Sequence, residues 1–197
     1  MSRDLPASAL KNIARWVSIL AHPFVMIPLL AATATLHAGR GNELALNVGI
    51  VALFAILPIA ILTIHQVRRG AWANVDASNP RERPILFIVA IASILALIGC
   101  LAITQPHSIL LRGSEVTLVL LIVCAIITRW IKVSLHLAAA ALTATTLLLL
   151  KSPIGWGVAT ILPILAWSRL ALGRHTPIEL VLGAVLGMIA GIAMRFP

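Results

Sequence analysis

The run ILFIVAIASILALIGCLAIT, residues 85–104, decides the fold. It carries no charge, and at 1.5 Å per helical residue about 20 such residues cross the hydrocarbon core of a bilayer. A helix satisfies its own backbone hydrogen bonds there, as hydrocarbon requires. Similar apolar runs lie on both sides: residues 17–37 and 44–67 upstream, and 116–131, 137–150, 157–167 and 178–194 downstream. Composition agrees, with 60% hydrophobic residues, 11% charged and a mean hydropathy of +1.05, outside the range of water-soluble domains. The expectation is an all-α, polytopic transmembrane helical bundle of six or seven spans, forming one integral-membrane domain over residues 1–197, with its active site at one membrane face. Seven is the preferred count, with the sixth span short and broken by Pro163.

The polar residues fall between these runs. A net charge of +9 could suit nucleic acid, but the basic residues sit in short loops and form neither a face nor a tail. Anionic lipid in the surrounding bilayer, and phosphate, are the expected partners. Cys100 and Cys124 fall inside predicted spans, which argues against a disulfide framework. Residues 1–15 are polar and basic (Arg3, Lys11, Arg15), Trp16 sits where an interfacial aromatic would, and no cleavable signal is expected. His22 could serve a proton or ligand role, but the preferred reading is a histidine near the interface. His37, His65 and His107 read as solvated histidines at span ends. Gly183, Gly187 and Gly191, spaced by four, form a small-residue row for helix packing, either within the chain or between chains.

Chemistry concentrates in SRLALGRHTPIE, residues 168–179. Charges at the edge of hydrocarbon cost a few kcal/mol unless used or solvated, yet Arg169, Arg174, His175 and Glu179 crowd into twelve positions. If Pro177 opens a helix, Glu179 can reach back to one nitrogen of His175, leaving the other as base or nucleophile. Arginines at Arg81 and Arg83, in the polar stretch 68–84, suit phosphate because a guanidinium donates two parallel hydrogen bonds. Arg174 reads either as a headgroup contact or as an interfacial anchor.

Ser168-Arg169, five residues, His175, three residues, then Glu179 resembles the third signature of the type 2 phosphatidic-acid phosphatase superfamily, where the last position is usually Asp. Ser134 and His136 match the family's Pro-Ser-Gly-His, with Leu135 at the glycine. Arg83-Pro84 matches the end of the first signature, whose lysine position falls on Asp76. The resemblance covers residues 72–196. It implies that His175 attacks phosphorus to form a phosphohistidine, that Glu179 holds its ring, and that His136 protonates the leaving oxygen and then activates water. It also implies that Arg83, Arg169 and Ser134 bind phosphate. Arg81 and Lys132 could supply the cation of the missing lysine, and Asp76 is expected to pair with Arg81 or Arg83. No metal and no other cofactor is expected.

These readings combine into an integral-membrane lipid phosphatase acting on a phosphomonoester or diphosphate of a lipid, of phosphatidic-acid, phosphatidylglycerol-phosphate or polyprenyl type. Alternatives are a weakly catalytic member that binds or flips a phosphorylated lipid, and a lipid phosphotransferase. The expected location is the inner (plasma) membrane of a bacterium. With seven crossings all three signatures share one face, which carries eleven Lys and Arg residues against four on the other. The positive-inside rule makes that face cytoplasmic.

Overall fold

The computed structural model describes residues 7–77 and 79–195; Arg3, counted above with the basic N-terminus, lies outside them. The described residues form helices joined by short turns, with no strand. We number them α1 (Ala7–Leu20), α2 (Pro23–His37), α3 (Gly41–Arg68), α4 (Arg83–Thr104), α5 (Ile109–Ile127), α6 (Leu135–Leu149), α7 (Pro153–Ala171) and α8 (Pro177–Ala193). Five stretches are long and apolar enough to cross a membrane: Ser8–His37, Gly41–Arg68, Pro80–Thr104, Ile109–Ile127 and Pro153–Ala171. Helices α6 and α8 are apolar but shorter, with 15 and 17 residues. Bulky apolar side chains point outward along the bundle, Ile88 at 67% exposure and Ile103 at 84% among them. Water would penalise so large an apolar surface, whereas lipid would cover it.

Three boundaries differ from the sequence reading, each for a local reason. A helix already runs over Ala7–Leu20 and breaks at Ala21 and His22, because Pro23 can open a helix but cannot continue one. The segment 157–167 is the middle of α7, which runs unbroken through Pro163 for 19 residues. A proline removes one hydrogen bond and its ring faces the outside here, while packing on α1 and α6 holds the helix together. Helix α5 starts at Ile109, capped by Ser108 through a 3.1 Å bond from the Leu111 amide, so Arg112 and Glu115 lie inside it and pair at 3.7 Å. In α3 the stretch Ala52–Ile56 widens to a π-helical turn just ahead of Pro58, which makes room for the ring.

Helix α6 is the centre of the bundle. Eleven of its 15 residues are buried, and α2, α7 and α8 pack around it. The alanine run 138–141 permits this, since small side chains let neighbouring backbones approach where lipid offers no hydrophobic drive. Gly183, Gly187 and Gly191 face α6: a Cβ at Gly187 would collide with the carbonyl of Ala138, and one at Gly191 would lie 2.6 Å from Thr145 Cβ. The glycine row is therefore an internal contact. At the end away from the signature residues, buried Asn47 donates to Thr35 Oγ1 at 3.2 Å and accepts from Gln105 Nε2 at 2.7 Å, tying α2, α3 and α4 together.

Candidate active site

Four helices start at one end of the bundle, and each start contributes a side chain to one cluster. Helix α8 opens at Pro177 behind the N-cap Thr176, whose hydroxyl accepts the Glu179 amide while Glu179 Oε2 accepts the Thr176 amide at 3.3 Å. The same Oε2 lies 2.8 Å from His175 Nδ1. The capping box thus fixes Glu179, and Glu179 fixes His175. Since the carboxylate accepts, Nδ1 carries the proton and Nε2 the lone pair. Lys132 Nζ sits 3.4 Å from the same oxygen and donates to the Arg174 carbonyl at 2.7 Å.

His175 is neutral at physiological pH. Its side chain is 3% exposed, and burial lowers its pKa to about 4. The bond to Glu179 works in the opposite direction, while Arg169, Lys132 and Arg83 disfavour a further positive charge beside them. A neutral imidazole whose Nδ1–H is held by a carboxylate presents the Nε2 lone pair, as a base or a nucleophile requires.

The second signature lies against the third. Ser134 caps α6 and its amide donates to the Glu179 carbonyl at 3.2 Å; Gly183 leaves room for this approach, since a Cβ there would meet the Ser134 carbonyl. His136 is the second residue of α6, buried, and close enough to His175 for the two to interact electrostatically. Between Ser134 and His136, Leu135, where the resemblance would place a glycine, packs beside Trp72 and Leu86. Arg83 begins α4 and reaches across to donate to the Val133 carbonyl at 2.6 Å. Arg169, in the last turn of α7, is 1% exposed and donates to Ser18 Oγ of α1 at 2.7 Å.

Two expectations need correction. Asp76 pairs with neither Arg81 nor Arg83. Its Oδ2 accepts from Arg169 at 2.9 Å and lies 3.9 Å from Arg174, because the loop ahead of α4 folds over the mouth of the site. Glu82 pins that loop by accepting the amides of Ala73 and Asn79, each at 3.3 Å. Arg81 is not part of the cluster: it sits in the single turn Pro80–Glu82 with an exposed side chain. Arg83, Lys132, Ser134, His136, Arg169, His175 and Glu179 do come together. Arg174 joins them through Asp76.

The reading of His22 as an interfacial histidine missed its position. Its ring stands edge-on to that of His136, centroids 4.7 Å apart, with Nε2 3.8 Å from Asp76 Oδ1. The available signal was the His22-Pro23 pair, a helix start inside an apolar run. His37, His65 and His107 are exposed, as their positions suggested. Below His22, Asp76 and His136 a cavity of about 140 Å³ opens between α2, α3, α4, α5 and α6, lined by Phe24, Ile59, Leu86, Ile94, Leu120 and Leu142 among others. Its wall is almost wholly apolar. A neutral histidine, several guanidinium groups and an apolar cavity suit an anionic group carried on a hydrocarbon chain. No protein-family model, no curated protein and no solved structure matches this chain.

Proposed function

We propose that this protein is an integral-membrane lipid phosphatase related to the type 2 phosphatidic-acid phosphatases, crossing the bilayer seven times with its site at one face. His175 Nε2 attacks phosphorus, forming a P–N bond as the bond to the lipid oxygen breaks. His136 delivers a proton to that leaving oxygen, then takes one from the water that cleaves the phosphohistidine and releases phosphate. Glu179 holds the His175 ring and stabilises its developing charge. Arg83, Arg169, Ser134 and Lys132 bind or neutralise the phosphoryl oxygens.

One observation carries this reading. Arg83 Nε, Ser134 Oγ, His136 Nε2 and Arg169 Nε are all buried without a hydrogen-bond partner. Each such atom costs about 1–3 kcal/mol, and native proteins keep them rarely and for a reason. Four of the seven such side-chain atoms among the described residues thus belong to the signature residues, and a phosphoryl group with its several acceptor oxygens would satisfy them together. The Asp76–Arg169 pair favours one second reading, a member that binds or flips a lipid phosphate while an internal carboxylate suppresses turnover.

The test is phosphate release from a panel of lipid phosphates by detergent-purified protein, with His175→Ala and His136→Ala beside it. Release that disappears in His175→Ala and drops about 100-fold or more in His136→Ala is expected. Binding without release by the wild type would replace hydrolysis with the second reading, and transfer of the phosphate to an added alcohol would indicate a phosphotransferase.

A further inference from the structure

His22 lies outside all three signatures, yet it faces the centre of the cluster. It is the N-cap of α2, with φ −66° and ψ 146°, and its Nδ1 accepts the Phe24 backbone amide at 3.1 Å. A backbone N–H can only donate, so Nδ1 carries no proton and the ring is the neutral Nε2–H tautomer. The nitrogen that faces the site is therefore a donor of fixed polarity. It points toward Asp76 Oδ1, 3.8 Å away. That carboxylate also has Arg169 at 2.9 Å, Arg174 at 3.9 Å and His136 at 3.9 Å. Donor groups from four helices or their ends converge on one anionic group, and the anion present is the protein's own.

We propose that His22 is a phosphate-binding residue: its Nε2–H donates to a non-bridging phosphoryl oxygen of the substrate when that group takes the place of the Asp76 carboxylate. The inference rests on the phosphate-handling reading above and adds a donor to it from α2. It also supplies a donor to a site whose first-signature lysine is replaced by Asp76, since Arg81 is exposed outside the cluster. A neutral imidazole donates its hydrogen bond without adding charge to a site that already holds several cations.

Among the described residues, His22, Asp76 and His136 also form the one group whose ligand-type atoms lie within 4.8 Å of one another, as a metal would need. The tautomer argues against that use. A ligating histidine offers a lone pair and donates from its other nitrogen; here the lone pair is spent on Phe24. Metal binding at Nε2 would require breaking the cap of α2.

Two substitutions separate the site role from the cap. In His22→Asn the side-chain oxygen retains the cap, but nothing reaches the position of Nε2. In His22→Gln the amide nitrogen reaches that position and the cap is weakened. The probes are inorganic phosphate and a short-chain lipid phosphate in detergent, read as dissociation constant and as KM and kcat, with thermal unfolding alongside. We expect His22→Asn to melt like wild type and bind both probes about 10- to 100-fold more weakly, with His22→Gln recovering most of the loss. Unchanged affinities in His22→Asn with an active wild type would overturn the role of His22 and leave the site reading intact. Weakening confined to the lipid probe would overturn it too, assigning His22 to the chain. A wild type that loses activity to a chelator and regains it with zinc would replace the donor by a metal ligand. A wild type that neither binds phosphate nor releases it would bring down the site reading and this inference together.

Discussion

Replacing Asp76 with Asn tests whether the carboxylate occupies the place of the substrate's phosphoryl group. Asn keeps the shape and an acceptor oxygen but removes the charge that holds Arg169 at 2.9 Å. A charge-assisted hydrogen bond of this kind is worth about 1.5–3 kcal/mol, and an incoming phosphate must displace it. Without that competition, inorganic phosphate should bind roughly 10- to 100-fold more tightly. The unliganded protein should pay in stability, because Arg169 is 1% exposed and retains Ser18 as its side-chain partner. Breaking a buried pair costs about 3–5 kcal/mol; the lower end applies, since Asp76 is itself 13% exposed and Asn still accepts. The assay is calorimetric titration with phosphate, paired with thermal unfolding at rising phosphate concentration. Expected are a lower Tm without phosphate and a larger phosphate-induced rise than in wild type. An Asn variant that binds phosphate no more tightly than wild type would refute the shared position of carboxylate and phosphoryl group.

Two further outcomes follow from the same geometry. His175 is held to about pKa 4 by burial and neighbouring cations, so it stays neutral from pH 7 downward and gains its proton, losing its nucleophilic lone pair, only as pH falls through about 4. Ring-nitrogen NMR of labelled protein, assigned with His175→Ala, reads this independently of the substrate's own titration, and a midpoint near 6.5 would contradict it. Gly187→Ala should separate α6 from α8, since its Cβ would lie 2.9 Å from Ala141 Cβ and collide with the Ala138 carbonyl; overpacking of this sort costs about 1–3 kcal/mol. Gly157→Ala is the control in the unfolding assay: it has open space around it and should be neutral or stabilising.

The helices were legible where a 1.5 Å rise per residue and unbroken apolarity suffice, as in residues 85–104. Ends set by capping were less so. The start of α7 is set by Pro153 at its first position and that of α5 at Ile109 by the Ser108 cap, neither of which hydropathy registers. At the site, the spacing of His175 and Glu179 announced their bond because Pro177 opens a helix whose third residue, Glu179, turns back to the residue just ahead of the N-cap. Arg83 could be placed only through its resemblance, since the bond to Val133 spans 50 residues. The partner of Asp76 was misjudged because sequence favours neighbours such as Arg81, whereas burial favours the guanidinium that a different helix brings into the cluster. His22 was passed over because an isolated histidine at a proline is usually a local feature; its tautomer and its facing partners exist only in three dimensions.

The arrangement also has a topological cause. In a chain that runs up and down, alternate helices begin at the same end, and here α2, α4, α6 and α8 begin where the signatures meet. Helix starts carry unpaired amides and the positive end of the backbone dipole, so they favour an anion before any side chain is added. His22, Arg83, Ser134 with His136, and Glu179 with His175 sit at these four starts. Helices that end on the same face favour cations in their last turn, which Arg68 and Arg169 supply. The excess of Lys and Arg on that face therefore has a source besides membrane insertion in helix-end electrostatics, and a second in the phosphate binding proposed above. Setting aside Arg83, Lys132, Arg169 and Arg174, the basic residues that the cluster contains, leaves seven against four. An orientation drawn from the full count would mistake the chemistry of the site for a topological signal, so the side facing the cytoplasm has to be read from labelling of single cysteines placed in loops that carry no site residue.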